Sequence, residues 1–239
     1  MTPETWNLIL LSFADDELIA GQRAAEWCGH APILEEDIAF ANLALDEIGH
    51  ASLWYRLLAE LTGEDPETYP DHLAYWRNAD EFRCHPLLEL PNGDWAQTVL
   101  RQYLFDSAEQ VRLRAVLTDS GSPLAQAARK ILTEEQYHLR HTRTWVTRLA
   151  RGSAESAART QTALHILWQY IAGLFEPLPN AASLHAEWEA QQRTFLTQLG
   201  LSVPDAAPVT YNRLQHTPHL AALLAEMQSV ARLDPEAVW

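Results

Sequence analysis

Apolar residues recur at helical spacing along most of this chain, and no stretch shows the alternation typical of a strand. Glycine and proline gather in a few short clusters, which mark the breaks between helices. The pattern predicts four long helices, at about residues 3–28, 34–61, 94–118 and 123–149. Shorter helices are predicted at about residues 71–78, 153–175, 183–199 and 217–233.

The order of these helices predicts their topology. Short turns at residues 29–32 and 119–123 fold the first two and the last two long helices into antiparallel hairpins. A connection of about 30 residues, at 64–93, joins the hairpins, and one long crossover of this kind is typical of a ferritin-like four-helix bundle. We therefore expect a single all-α domain over residues 1–239, with the core bundle at about 3–150 and additional C-terminal, accessory helices at about 153–233.

Composition limits the classes of partner. The chain has 239 residues, 47% of them hydrophobic and 21% charged, which is an ordinary globular balance. Its formal net charge of −15 repels phosphate backbones, so we expect no nucleic-acid partner and favour a partner with a basic patch.

The cysteine content, the first residues and the hydrophobic pattern indicate the cellular location. The two cysteines, Cys28 and Cys84, are too few for a disulfide framework and are expected to be reduced thiols. Residues 1–7 lack a basic leader region, and no uncharged run reaches membrane-spanning length. These features predict a cytoplasmic protein without a membrane segment.

Two Glu-x-x-His pairs are candidate metal ligands. In metal-binding bundles of this topology, two helices each supply one carboxylate and the other two each supply Glu-x-x-His, whose members share a helix face. Glu47 and His50 form such a pair in the second long helix, and Glu135 and His138 form one in the fourth. Each pair alone is a weak signal, because most such pairs lie on solvated helix faces.

The spacing of the hairpins strengthens the signal. Glu17 lies 15 residues before Pro32 and Glu47 lies 15 residues after it, so both are expected at the same height above the turn. Asp106 and Glu135 are 29 residues apart, and their midpoint falls inside the second turn. The predicted ligand set is Glu17, Glu47, His50, Asp106, Glu135 and His138.

Each predicted carboxylate lies on an otherwise apolar helical stripe. Carboxylates that converge in a low-dielectric core repel one another, and two divalent cations would remove that repulsion. Carboxylate and imidazole ligands together suit iron, with manganese as the alternative. Other assignments stay open: Glu109 in place of Asp106, Glu134 in place of Glu135, His141 as a bystander or supporting residue, and a ligand set that no longer holds metal.

Several motifs resemble the phenylacetate-degradation oxygenase family, and within it the C-type subunits. They are QRAAEWCGHAP at 22–32, PNG at 91–93, RQYLFD at 101–106, YHLR at 137–140 and LAEMQ at 224–228. The resemblance covers nearly the whole chain. It implies a multicomponent monooxygenase that converts phenylacetyl-CoA to its ring 1,2-epoxide with dioxygen and electrons from a reductase. It also implies that an A-type subunit is the di-iron catalyst and that the C-type subunit is its structural partner, with a degenerate metal site.

The full ligand set departs from that family pattern and leaves two main hypotheses. In the first, the chain is an accessory subunit that assembles with the other components of the complex, the A-type subunit among them, as a hetero-oligomer or homodimer, with an aryl-CoA thioester as a further expected ligand. In the second, it is an iron (or iron and manganese) oxygenase in its own right, with Glu47 and Glu135 as bridging ligands. A ferritin-like or manganese protein of peroxide chemistry is the third and least favoured class.

Overall fold

A computed structural model describes residues 2–117, 123–205 and 212–234, and within these ranges the regular secondary structure is entirely helical. In chain order the α-helices are α1 (Pro3–Ala25), α2 (Leu34–Thr62), α3 (Tyr69–Tyr75), α4 (Pro86–Glu89), α5 (Trp95–Ala115), α6 (Pro123–Ala150), α7 (Ala154–Leu167), α8 (Ala181–Gln198), α9 (Pro218–Met227) and α10 (Ser229–Leu233). Short 3-10 helices occupy Ala79–Glu81 and Trp168–Tyr170. In the described part of the chain, no helix is both long enough and apolar enough to cross a membrane.

The first compact unit comprises Met1–Pro91 and Asn212–Trp239, and α1 packed on α2 is its main feature. The rings of Phe13 and Trp54 pack edge to face with their centroids 5.4 Å apart. The Tyr55 hydroxyl donates a hydrogen bond to Asp15 at 2.5 Å. Gly21 of α1 packs closely against α2, since a Cβ there would come within 2.9 Å of Ile48 Cγ1. Phe13 thus contacts Trp54 and the later residue Gly21 contacts the earlier Ile48, the order that an antiparallel hairpin requires.

The crossover and the C-terminal segment pack onto this hairpin. Arg77, just past α3, forms a buried ion pair with Asp15 of α1. Glu89 of α4 accepts a hydrogen bond from the Thr217 backbone N–H at 2.6 Å, just before α9 begins. The Gln228 side-chain amide donates to the Ala74 and Arg77 carbonyls, both at 3.0 Å. Side chains and backbone groups that are far apart in sequence thus form hydrogen bonds and ion pairs with one another inside this unit.

The second compact unit comprises Asn92–Tyr211, and α5 packs on α6, α7 and α8. The Asp94 carboxylate caps α5 by accepting from the Gln97 N–H at 3.0 Å. Trp188 of α8 is buried and donates its indole N–H to Ser107 of α5 at 2.9 Å. Burial of a large aromatic ring with its polar atom satisfied fixes α8 against α5.

The predicted long helices are confirmed to within a few residues, including the start of α5 after Asp94. The predicted helix at 153–175 is wrong at its end, because α7 stops at Leu167 and Gly173 takes a φ of +87° that no α-helix contains. The predicted helix at 217–233 is divided at Gln228, whose side chain turns inward to the carbonyls of the crossover. The predicted turn at 119–122 lies outside the described residues, and a single domain over 1–239 stays a prediction.

Candidate metal centre

The first unit brings three of the predicted ligands together. Glu17 of α1 and Glu47 of α2 are fully buried, and His50 of α2 is 3% exposed. His50 Nδ1 lies 3.6 Å from Glu17 Oε2 and 4.0 Å from Glu47 Oε2. One ligand atom from each residue lies within 4.8 Å of the others, close enough for one cation to reach all three.

Gly21 helps to position Glu17, Glu47 and His50. A Cβ at Gly21 would lie 3.2 Å from the Glu47 Cβ and 3.2 Å from the Ala44 carbonyl oxygen. Those distances are tighter than ordinary van der Waals contact, so a side chain would push α1 away from α2. The separation of Glu17 from Glu47 therefore depends on a glycine one helical turn after Glu17.

The acidic run of α1 explains which carboxylate serves the site. Asp15, Asp16 and Glu17 are consecutive and all fully buried. Asp15 binds Arg77, and Asp16 lies 2.9 Å from the Arg213 guanidinium and accepts from the His85 N–H at 2.6 Å. Successive helix residues point about 100° apart, so only Glu17 shares the face directed at His50.

The second unit holds the other three predicted ligands, all of them buried. Asp106 of α5 and Glu135 of α6 are fully buried, and His138 Nδ1 lies 2.9 Å from Glu135 Oε1. The Thr142 hydroxyl donates to Asp106 Oδ2 at 2.7 Å, and the Gln102 amide donates to Asp106 Oδ1 at 2.8 Å. Both oxygens of Asp106 are thereby held in a fixed orientation.

The surroundings of Asp106 disfavour its charged form. Burial, and then the nearby negative charge of Glu135, raise the pKa of Asp106 to about 8, although His138 and the hydrogen bonds from Thr142 and Gln102 act in the opposite direction. A cation next to the carboxylate would favour its charged form and lower that pKa. Hard oxygen donors and imidazole in a buried setting fit a divalent first-row metal.

The geometry favours the predicted ligands over two of the alternatives. Glu109 is buried against Arg112, with Nη1 and Oε2 at 2.8 Å, so its charge is already compensated. Glu134 is partly exposed, whereas Glu135 is fully buried. That the two trios serve one site stays a prediction.

Sequence reasoning missed the supporting residues Gln102, Thr142 and Gly21. Gln102 precedes Asp106 by four residues and Thr142 follows His138 by four, so each lies one helical turn from a ligand. That spacing is a usable signal for hydrogen-bond donors to a ligand. Gly21 gives no comparable signal, because a helical glycine becomes informative only when the facing helix is known.

Comparison with known proteins shows similarity to one family along the chain. The family described as phenylacetic acid catabolic protein matches residues 3–239. The chain is 38% identical over 244 residues to the C subunit of 1,2-phenylacetyl-CoA epoxidase from Escherichia coli (strain K12), which covers 96% of this chain and 97% of that protein. It is also 25% identical over 210 residues to the A subunit of the epoxidase from the same organism, which covers 80% of this chain and 66% of that protein.

Proposed function

Since the chain belongs to the phenylacetic acid catabolic protein family, we propose that it is the C-type subunit of a multicomponent epoxidase acting on phenylacetyl-CoA in phenylacetate catabolism. The observation that carries the proposal is the 38% identity to the C subunit of such an epoxidase over nearly the full length of both chains. The resemblance noted in the sequence is confirmed, and with it the all-α, ferritin-like fold class.

A heteromeric partner is part of the proposal. The chain is also similar to the A subunit of the same Escherichia coli enzyme, which supports a common origin for the two kinds of subunit. The C-type chain then assembles with a catalytic A-type partner and supports its binding of the aryl-CoA thioester.

The proposed metal ligands are Glu17, Glu47, His50, Asp106, Glu135 and His138, holding two divalent cations, iron first and manganese as the alternative. The burial of all six side chains supports this assignment, as do the short distances from His50 to Glu17 and from His138 to Glu135. When bound, such ions supply the means to bind and activate dioxygen.

The protein's own residues have defined roles in that proposal. Gln102 and Thr142 orient Asp106 through two hydrogen bonds, as outer groups do for metal-binding carboxylates. Burial of Glu17, Glu47 and Glu135 keeps water from competing for the carboxylate oxygens. Arg77 compensates Asp15, so the charge of that neighbour does not add to the negative charge around Glu17.

The complete ligand set favours a second candidate function, an oxygenase in its own right. An accessory subunit has no evident need for six buried ligand-type residues, because buried carboxylates are costly without compensation. In this candidate the same residues would hold the metal, with Glu47 and Glu135 offering carboxylate oxygens and His50 and His138 offering imidazole nitrogens.

Co-expression with the cognate A-type subunit tests the first proposal. We expect the two chains to purify together, and the isolated A-type subunit to be unstable or to lose most of its epoxidation of phenylacetyl-CoA. An A-type subunit that is stable and fully active by itself would contradict an accessory role. Epoxide formation by the isolated chain with a reductase would favour the second candidate instead.

Elemental analysis tests the metal assignment without reference to activity. We expect about two metal ions per chain after anaerobic reconstitution, as the ligand number of such sites allows, and a clear loss in the Glu47→Gln variant. The matched control is Glu60→Gln, a change at an exposed position of the same helix. Substoichiometric metal in the reconstituted wild-type protein would contradict the assignment.

A further inference from the structure

Three side chains of the first unit form a second cluster of metal-ligand type, apart from the six proposed ligands. Cys84 lies just before α4, Glu89 is the last residue of α4, and His216 lies just before α9. Cys84 and Glu89 are fully buried, and the His216 side chain is 9% exposed. One ligand atom from each residue lies within 4.8 Å of the other two. We refer to Cys84, Glu89 and His216 as the thiol cluster.

Hydrogen bonds from outside the thiol cluster fix the direction of its ligand atoms. The Thr217 backbone N–H donates to Glu89 Oε2 at 2.6 Å, so Oε1 is the oxygen that faces His216 and Cys84. His216 Nε2 lies 3.2 Å from the Phe82 carbonyl oxygen, which can only accept, so Nε2 carries the hydrogen. Metal-binding histidines and carboxylates usually have outer hydrogen bonds of this kind, which orient the ligand atom towards the metal.

The close approach of His216 to Glu89 requires a positive charge between them. With the hydrogen on Nε2, Nδ1 of a neutral imidazole carries a lone pair, and it lies 2.6 Å from Glu89 Oε1. Two lone pairs at that distance repel each other unless a proton or a metal ion lies between them. The Cys84 Sγ lies 3.6 Å from the same oxygen. A metal ion that replaces the proton therefore gains the sulfur as a third ligand.

The distances suit a small tetrahedral ion. With Zn–O and Zn–N bonds of about 2.0 Å and a Zn–S bond of about 2.3 Å, tetrahedral angles place the ligand atoms roughly 3.3–3.5 Å apart. The 3.6 Å between Cys84 Sγ and Glu89 Oε1 is already close to that separation. His216 Nδ1 and Glu89 Oε1 have to separate by less than about 1 Å to reach it, which rotation of the partly exposed His216 ring allows.

Charge and ligand type both select zinc. One thiolate and one carboxylate balance the charge of a divalent cation, so the buried site is neutral when the ion is bound. Sulfur and imidazole ligands disfavour magnesium and calcium, and zinc binds such ligands more tightly than iron or manganese does. Three protein ligands leave the fourth position to water, and His216 is the member of the cluster that solvent reaches.

The ligands come from distant parts of the sequence. Cys84 and Glu89 belong to the crossover, whereas His216 lies 127 residues after Glu89 in the C-terminal segment. We propose that the thiol cluster binds one zinc ion, which fastens the C-terminal segment to the crossover. A cross-link that closes so long a loop stabilises the fold mainly by restricting the unfolded chain. The same segment carries Arg213, so loss of zinc also loosens the buried ion pair of Arg213 with Asp16.

Cobalt(II) in place of zinc tests the proposal, because a thiolate bound to cobalt gives a charge-transfer band in the near ultraviolet that carboxylate and imidazole ligands do not give. The metal-free, full-length chain is titrated anaerobically with cobalt(II), and circular dichroism verifies that each variant is folded. We expect the band in the wild type, its loss on addition of zinc, and its absence in Cys84→Ser. Cys28→Ser, at the exposed cysteine, is the matched control and should keep the band. His216→Gln keeps the thiol and should weaken cobalt binding by at least about 100-fold, more than the loss of an outer hydrogen bond does.

Other outcomes would overturn the inference. A folded wild-type protein without the band would show that protons, and no metal ion, hold the thiol cluster together. A band that survives Cys84→Ser and is lost in Cys28→Ser would place the metal at the exposed thiol. Should Cys84→Ser fail to fold, unchanged cobalt affinity in His216→Gln would equally exclude the site.

Elemental analysis keeps the zinc site separate from the proposed iron site. Zinc at one ion per chain without bound iron would contradict the assignment of Glu17 and its partners and leave the zinc site standing. Zinc content that is unchanged in both Cys84→Ser and His216→Gln would exclude the thiol cluster whatever the iron content. A chelator selective for iron(II) leaves zinc in place, because the thiolate favours zinc over iron, so each site is measured without disturbing the other.

Discussion

Replacing Glu47 by glutamine distinguishes a site that holds metal from one that is kept without it. The side chain is fully buried beside Glu17 and His50, so glutamine keeps its shape and removes one negative charge. If the site holds metal, the substitution weakens binding and the protein loses the stabilisation that the metal provides. If it does not, the substitution removes repulsion among buried carboxylates and the melting temperature rises.

The size of the effect follows from linkage. A ligand present at about 100 times its Kd stabilises the folded state by about 2.7 kcal/mol. For a chain of this length, each kcal/mol shifts the melting temperature by about 2–4 °C, so the expected decrease is about 5–11 °C. We expect this decrease for Glu47→Gln, because buried carboxylates at equivalent heights in two hairpins are costly to retain without a cation.

Differential scanning fluorimetry with and without a chelator is the assay. The chelator should reproduce the decrease in the wild-type protein and have little further effect on Glu47→Gln. The exposed Glu60→Gln change on the same helix should respond to the chelator as the wild type does. A higher melting temperature in Glu47→Gln, together with no chelator effect on the wild type, would refute the reasoning and show that the ligand geometry is retained without metal.

Two further predictions concern buried charge. Arg77→Met leaves the Asp15 carboxylate buried without its cation and should lower the free energy of unfolding by about 3–5 kcal/mol, measured with urea. Arg56→Met removes one partner of an exposed ion pair and should lower it by less than about 1 kcal/mol. Equal losses in the two variants would contradict the importance of burial. In metal-free protein, Asp106 has a folded-state pKa of about 8, above its ordinary value, so its neutral form is favoured by the fold. That contribution to stability is complete below about pH 4 and is lost as the pH rises towards 8. Asp106→Asn should remove this loss of stability, which amounts to up to roughly 5 kcal/mol. The assay compares the unfolding midpoints of the wild type and Asp106→Asn at pH 5 and pH 8 in the presence of chelator. An equal change of midpoint with pH in the two proteins would contradict the prediction.

The sequence was sufficient for the long helices and for the burial of the six candidate ligands, whose binding of metal stays a prediction. Helical periodicity and the glycine and proline clusters set the bounds of α1, α2, α5 and α6 to within a few residues. Equal spacing about each turn then paired Glu17 with Glu47 and Asp106 with Glu135. Both steps use interactions that are local or symmetric about a turn, which a single sequence contains.

The errors arose where distant parts of the chain decide the local structure. The division between α9 and α10 falls at Gln228, whose amide bonds to the carbonyls of Ala74 and Arg77, more than 150 residues earlier. The feature that favours Asp106 over Glu109 as the proposed ligand is Arg112, whose guanidinium is buried against Glu109. Helical spacing alone treats both carboxylates as equivalent.

The acidic run of α1 shows why the segments outside the hairpins matter to the site. Asp15, Asp16 and Glu17 point in three directions around the helix, and two of them would be uncompensated buried charges if α1 and α2 stood alone. Arg77, 62 residues away in the crossover, and Arg213, 197 residues away in the C-terminal segment, compensate those two. Because each ion pair holds one side of α1, together they fix the rotation of the helix about its axis, and that rotation directs Glu17 towards His50. The crossover and the C-terminal segment therefore do more than cover the hairpin: they set the direction of a proposed ligand that neither of them contains.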